Sequence, residues 1–278
     1  PLSIDQFSLS PDGKRVVFDM SKGTTTDEWL YDFSANSLAR LTFDGEDNFP
    51  IWTPDGRRVT FGAISPGGGD ALVWKSADGT DRESILAPFL VSSGRAPLSW
   101  SRDGKYLVYQ QSAGAGQTED VMMLSVADGQ THPVAATPAV EMGGVLSPNG
   151  KWIAYVSDES GRFEIYVQSF PRPGGRWQLS DGGVGPLWSI DGKSLYYIGT
   201  DVKMMEVPVE AGESFSHGTP RALFDTRFPP DSDTFTNYDV TPDGGFIMVQ
   251  TASEMRTAEH VNVIVNFFEL LRRAAKPN

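Results

Sequence analysis

The chain contains no cysteine, which excludes disulfides, thiolate nucleophiles and Cys-ligated metals and leaves either redox compartment open. Histidine is nearly as scarce. His132, His217 and His260 stand apart, next to Pro, Gly or Glu, without the i, i+4 spacing of a helical metal site. Basic residues are outnumbered, 23 Lys and Arg against 36 Asp and Glu, and the net charge of −13 repels phosphate backbones and anionic membranes while attracting cations and basic partners. Nucleic acid and direct membrane insertion are therefore not expected. No window approaches the roughly 18 apolar residues of a spanning helix. No G-x-S-x-G elbow presents a serine nucleophile. Gly192-Lys193-Ser194 imitates the tail of a phosphate loop, but Leu187 stands where the first glycine belongs. The chain begins at Pro1 with neither Met nor a signal-like stretch, and it reads as a fragment of something longer.

What is present points to an all-β fold. Hydrophobic residues make up 39% and aromatics 11%, enough to bury a large core, and 29 Gly and 19 Pro fall in short clusters between apolar runs, as turns require. A repeat organises them. Ser10 to Phe18 (SPDGKRVVF), Thr53 to Phe61, Ser101 to Tyr109, Ser147 to Tyr155, Ser189 to Tyr197 and Thr241 to Val249 begin 43, 48, 46, 42 and 52 residues apart. In four copies Pro presets φ (Arg102 and Ile190 stand there in the third and fifth), and in all six Asp or Asn bonds its own backbone and the Gly (13, 56, 104, 150, 192 and 244) requires φ > 0. A short strand precedes each turn (Asn48 to Trp52, Gly185 to Trp188), and a β-branched or aromatic run follows it (Trp152 to Val156). Two further strands complete most repeats, Trp29 to Phe33 with Leu38 to Phe43 in the first and Ile165 to Val167 with Arg176 to Leu179 in the fourth.

Four antiparallel strands per unit is a propeller blade. The expectation is one six-bladed β-propeller over residues 1–278, with blades near 1–44, 45–90, 91–138, 139–181, 182–226 and 227–268 and a tail over 269–278. The sixth repeat offers Tyr238 to Thr241, Phe246 to Gln250 and Val261 to Phe268, one strand short. Residues ahead of Pro1, or Leu2 to Ile4, are candidates for the missing one.

The S/T-P-D-G-K turn, preceded by Pro50 to Trp52, Pro97 to Trp100 and Pro186 to Trp188, resembles the TolB-like propeller repeats. Glu164 to Ser180, Leu187 to Glu210 and Val261 to Arg273 are similar to the propeller C-terminal to bacterial serine/threonine protein kinases and related regulators. The resemblance implies a sensor or protein-binding module in a periplasmic or extracytoplasmic setting. Leu9, Leu146 and Val240 replace Trp in blades one, four and six. Prolyl oligopeptidases carry such propellers too, with their chemistry in a separate hydrolase domain.

Candidate binding residues follow from loops and composition. Trp52, Trp100 and Trp188 either ring a channel for stacking or pack between blades. Acidic clusters open blade two (Asp44, Glu46, Asp47, Asn48) and blade six (Asp231, Asp233, Asn237, Asp239), either as solvated loop charge or as oxygen donors for a hard cation. The stretches Asp19 to Glu28, Gly62 to Asp70, Pro88 to Pro97, Val134 to Gly144 and Asp225 to Asn237 read as long loops on the edge opposite the P-D-G turns, where a rigid frame presents binding groups. Arg95, Arg227 and Tyr238 are hot-spot residue types there. The expected function is recognition of a protein, peptide or small ligand at the channel mouth by Asp47, Asn48, Trp52, Arg95, Trp100, Glu141, Trp188, Arg227, Tyr238 and Asp239, with no catalysis in this chain and no cofactor. The alternatives are a lactonase-type hydrolase using a divalent ion near Asp47, Glu141 and Asp239, or an architectural propeller.

Overall fold

Each P-D-G segment closes a hairpin by the chemistry its residues dictate. In the first, Asp12 Oδ1 accepts from Ser10 Oγ at 2.6 Å and from the Lys14 amide at 3.1 Å, while Ser10 Oγ accepts from the Arg15 amide at 2.9 Å. Gly13 turns back with φ 70°, and all six turn glycines share the left-handed region. At Gly13 a Cβ would also lie 2.8 Å from the Pro242 ring, so this turn fits only glycine.

The structure is a computed structural model that describes residues 2–43, 45, 47–64, 68–89, 95–112, 118–172, 174–226 and 238–248. Among them there is no helix, and none long and apolar enough to cross a membrane. The strands form consecutive antiparallel sheets in a β-propeller arrangement. Blade one comprises β1 (Leu2–Leu9), β2 (Arg15–Lys22), β3 (Thr25–Asp32) and β4 (Ser37–Arg40). Blade two has β5 (Asn48–Trp52), β6 (Arg58–Ile64), β7 (Asp70–Ser76) and β8 (Ser84–Pro88), and blade three β9 (Arg95–Trp100), β10 (Tyr106–Ser112), β11 (Glu119–Ser125) and β12 (Thr131–Ala135). Blade four is β13 (Glu141–Leu146), β14 (Trp152–Ser157), β15 (Glu164–Ser169) and β16 (Arg176–Gln178). Blade five holds β17 (Val184–Trp188), β18 (Ser194–Ile198), β19 (Lys203–Ala211), β20 (Phe215–His217) and β21 (Arg221–Asp225). A two-stranded sheet, β22 (Tyr238–Val240) and β23 (Phe246–Met248), follows.

The described residues therefore make five blades where six are expected. The two-stranded sheet lies against both β17 and β1, but Val261 to Phe268, the next strand the sequence offers it, lies outside the described residues. Leu2 to Ile4 do not complete a sixth blade: they pair with Lys22, Ser21 and Met20 within blade one. Loop expectations shrink as well. Asp19 to Glu28 is mostly sheet, with Asp19 opposite Glu28 and a tight turn after Lys22.

Apolar side chains fill the seams between blades. Seam four–five holds Val156, Ile165, Trp188, Leu195 and Val207, and seam two–three holds Leu72, Leu107, Tyr109 and Leu124. Fully burying one such side chain contributes about 1.5–3 kcal/mol, so the seams carry much of the fold's stability.

Candidate functional site

The innermost strands all begin at one edge of the ring, opposite the P-D-G turns, and this edge gathers several of the expected site residues. Asp47 stands just before β5, Asn48 begins it, and Arg95, Glu141 and Tyr238 each begin an innermost strand, with Asp239 next. Arg227 lies outside the described residues, as do Asp44, Glu46, Asp231, Asp233 and Asn237. Trp52, Trp100 and Trp188 end their strands at the other edge and bond across seams. Trp52 Nε1 donates to the Ser8 carbonyl at 3.0 Å, Trp188 Nε1 to the Val145 carbonyl at 3.0 Å, and Trp100 Nε1 to Thr60 Oγ1 at 3.1 Å. Trp52 and Trp188 are buried, and Trp100 stacks on Trp74 with centroids 6.2 Å apart.

Three of the edge residues are closed off and engaged. The Tyr238 hydroxyl, buried, donates to the Gly185 carbonyl at 2.7 Å, and burial pushes its pKa well up. Asp239 accepts from the Leu9 amide and from its neighbour Val240, each at 2.8 Å, tying the two-stranded sheet to blade one. Burial raises its pKa to about 6, against the pull of those two bonds. Glu141 accepts from the Thr137 amide at 3.1 Å, from the Thr137 hydroxyl and from Ser157 Oγ, which fastens the β12–β13 loop. Asp47, Glu141 and Asp239 thus belong to separate seams, and among the described residues no three His, Cys, Asp or Glu side chains converge as a ready metal-binding set.

The site residues that sequence reasoning overlooked are Asp19 and Glu28. They face each other across β2 and β3, directly beyond Val17 and Leu30, so the seam between blades one and two turns from apolar to acidic toward this edge. Glu28 is fully buried and neither carboxyl oxygen has a hydrogen-bond partner. Its pKa is pushed well up by burial and then by the charges of Asp19, Asp47 and Asp27. Asp19 accepts from the Gln6 amide at 2.7 Å and from the Phe49 amide at 3.4 Å. Phe49 holds φ 59°, a strained angle for a bulky residue, at a β5 bulge. Register exposes the anomaly: at the position of Glu28 the following blades place Leu72, Val121, Ile165 and Met204, all buried and apolar. The signal was in the sequence six residues after each turn glycine, where Asp19 aligns with Gly62, Gln110, Val156 and Ile198.

At the opposite edge a cavity of about 240 Å³ opens between blade one and the two-stranded sheet, lined by Leu9, Phe33, Pro242 and Ile247 with Asp12 and Asp243 at its polar side.

No family model matches the chain. Among curated proteins it is 23% identical to an uncharacterized peptidase, YuxL, of Bacillus subtilis over 60% of this chain and 32% of that protein. It is 24% identical to dipeptidyl-peptidase 5 of Porphyromonas gingivalis over 76% of this chain and 33% of that one. The chain spans about a third of the length of these relatives. That these relatives are named peptidases overturns the expectation that this chain has no part in catalysis. Among solved structures it is similar to a putative TolB from Agrobacterium tumefaciens, with a TM-score of 0.64 at 16% identity over 88% of each chain. A puromycin-hydrolyzing peptidase of Mycobacterium tuberculosis gives 0.65 at 17%, over 89% of this chain and 42% of the peptidase. At these identities the shared property is the fold, a TolB-like β-propeller.

Proposed function

We propose that the chain is a six-bladed recognition propeller of a larger bacterial peptidase and that it takes a polypeptide segment at the edge where its innermost strands begin. The observation that carries this reading is one of lengths: the peptidase relatives match 60% and 76% of this chain, but the match covers only about a third of each peptidase. A module within a longer enzyme has that signature. The sixth blade follows from the sixth P-D-G turn, with β22 and β23 as its first strands. The net charge of −13 favours cationic segments through long-range attraction.

A second reading makes the parent a serine/threonine kinase with a C-terminal sensor propeller, and it rests on the stretches Glu164 to Ser180 and Val261 to Arg273. Both readings take the TolB-like resemblance as support for a periplasmic or extracytoplasmic setting. The test presents short peptides, with free and with blocked termini, to the chain and to the full-length protein. Micromolar binding by the chain with peptide cleavage by the full-length protein is the expected result. Phosphotransfer from ATP without cleavage selects the kinase, and metal-dependent ester hydrolysis without peptide binding selects a lactonase-type enzyme. Peptides neither bound nor cleaved overturn the proposal.

A further inference from the structure

Where the two-stranded sheet meets blade one, a cavity of about 240 Å³ opens beside the turns, and its origin is visible in the repeat. Trp52, Trp100 and Trp188 end their innermost strands at this edge, but blades one and four carry Leu9 and Leu146 there. Both blades set a phenylalanine just after the third strand instead: Phe33 donates its amide to the Lys14 carbonyl at 3.0 Å and Phe170 to the Lys151 carbonyl at 2.8 Å, the same bond in each. In blade four this exchange closes the seam. Phe170 is buried, and its ring stands edge-on to Tyr106 of blade three with centroids 5.6 Å apart. Phe33 stays half-buried and meets Tyr31 of its own blade, which leaves Leu9, Phe33, Pro242 and Ile247 around open space.

The polar side of the cavity is anionic and short of a cation. Hydrogen bonds from the Ser10 and Thr241 hydroxyls, ahead of all other influences, hold Asp12 and Asp243 below the ordinary carboxylate range. Lys14, Arg57, Lys105, Lys151 and Lys193 follow the other five turn glycines, and Lys105 and Lys193 pair with the aspartates of their own turns at 2.8 and 3.6 Å. The sixth turn has Gly245 in that place. Arg15 is turned to the next seam, where it donates to the Gly56 carbonyl at 2.7 Å and lies over Trp52. Among the described residues neither Asp12 nor Asp243 forms an ion pair. We propose that this cavity is a binding site for a small organic ammonium ion with a ring-sized apolar body, the body lying against Leu9, Phe33 and Ile247 and the ammonium group at Asp243 and Asp12. Apolar walls with a few convergent polar groups are what such a site requires. An engineered apolar cavity of about 150 Å³ admits benzene, so 240 Å³ holds a ring with a short side chain. The ammonium group supplies the charge that the sixth turn lacks, through hydrogen bonds of the charge-assisted kind. The site lies at the opposite edge from the proposed polypeptide site and does not depend on that reading.

The experiment titrates the 278-residue chain calorimetrically with phenethylamine and tryptamine, with their neutral counterparts toluene and 3-methylindole, and with the anion phenylacetate. One amine per chain is expected, bound at least threefold more tightly than its neutral counterpart and more weakly as salt is added, with phenylacetate the weakest of all. The melting temperature should climb with amine concentration, as a ligand of the native state requires. Asp243→Asn keeps an acceptor for the Thr241 hydroxyl, just as Asn149 accepts from Ser147 Oγ at 2.7 Å in blade four. It should bring the amines down to the affinity of their neutral counterparts and leave toluene unchanged. Gly245→Lys, which restores the lysine of the other turns, should do the same. Leu9→Trp, the residue of blades two, three and five, should fill the cavity and abolish binding of every probe. No saturable binding, amines bound no more tightly than neutral rings, undiminished amine binding by Asp243→Asn, or binding that survives in a folded Leu9→Trp chain each overturns the proposal. If Leu9→Trp does not fold, the comparison of Asp243→Asn with the parent still decides.

Discussion

Seams one–two and four–five are built on the same strands in the same register, and they solve the same packing problem in opposite ways. In seam four–five Val156 and Ile165 pair across β14 and β15 and press on Trp188 and Leu195. In seam one–two the equivalent pair is Asp19 and Glu28, and the equivalent of the bulge glycine Gly185, at φ 66°, is Phe49 at φ 59°. The first seam is what a propeller needs in order to close. The second breaks the repeat twice within one neighbourhood, with a buried carboxyl pair and a strained backbone. Local departures that folding does not ask for concentrate at functional or strained sites. The blade frame therefore comes from seams of the first kind, and the candidate function from the exception.

The sharpest way to break this comparison is to transplant the acid. Ile165→Glu places an unpartnered carboxyl in the seam that has no other acid in its cluster, and it should cost at least about 3 kcal/mol or prevent folding. Urea denaturation measures it. If Ile165→Glu is tolerated as readily as Glu28 is in its own seam, burial at this register carries no special cost and the contrast fails.

A third seam, where the two-stranded sheet meets blade one, sits between these extremes because its buried acid has partners. Asp239 titrates at about 6 in the fold, above the ordinary 3.8, so the folded chain holds this proton more tightly than the unfolded one. The stabilisation is then complete below about pH 4, is lost as pH rises toward 6, and changes no further above it. Two pH units correspond to on the order of 3 kcal/mol. Asp239→Asn, whose side-chain oxygen still accepts from Leu9, should flatten that slope, as denaturation at pH 4, 5, 6 and 7 would reveal. An unchanged slope assigns the pH dependence to other groups.

The strained residue supplies a finer test. Phe49→Gly relieves a left-handed angle worth roughly 1–3 kcal/mol but gives back some backbone entropy, so a net gain of about 1 kcal/mol is expected. Gly185→Ala in seam five should lose a similar amount. If Phe49→Gly destabilises the chain, the ring's contacts outweigh the strain at that bulge.

The frame was legible in the sequence because turn chemistry is local. Ser10, Asp12 and Gly13 specify a hairpin through bonds reaching at most five residues, and six such turns at near-even spacing imply repeated sheets. Asn48 to Trp52 was read with the bounds of β5. What escaped was non-local. Whether Asp19 and Glu28 form a polar loop or a buried pair depends on how far β2 and β3 extend before turning, and a Gly-Thr-Thr-Thr stretch reads as a loop until the neighbouring blade covers it. Tyr238 misled for a related reason: an aromatic at the start of an innermost strand looks like a rim residue until the Gly185 carbonyl is found in front of its hydroxyl.

The smallest expected effects concern the bonds that stitch the seams, and they ask whether acidic and apolar seams are stitched alike. Trp52 in seam one–two and Trp188 in seam four–five each donate across to the main chain at 3.0 Å, and Tyr238 does so to blade five at 2.7 Å. Phenylalanine at any of the three keeps a ring in place and removes the donor, leaving a buried carbonyl short of one partner, for which about 1 kcal/mol is the ordinary cost. The Trp replacements lose some ring area as well, so Tyr238→Phe is the cleanest measure of the bond alone. If packing dominates both seams, Trp52→Phe and Trp188→Phe should fall within about 0.5 kcal/mol of each other in urea denaturation, because both donors meet carbonyls of the preceding blade's innermost strand. A wider gap between the two would mean that the acidic seam leans on its stitching bond more or less heavily than the apolar one.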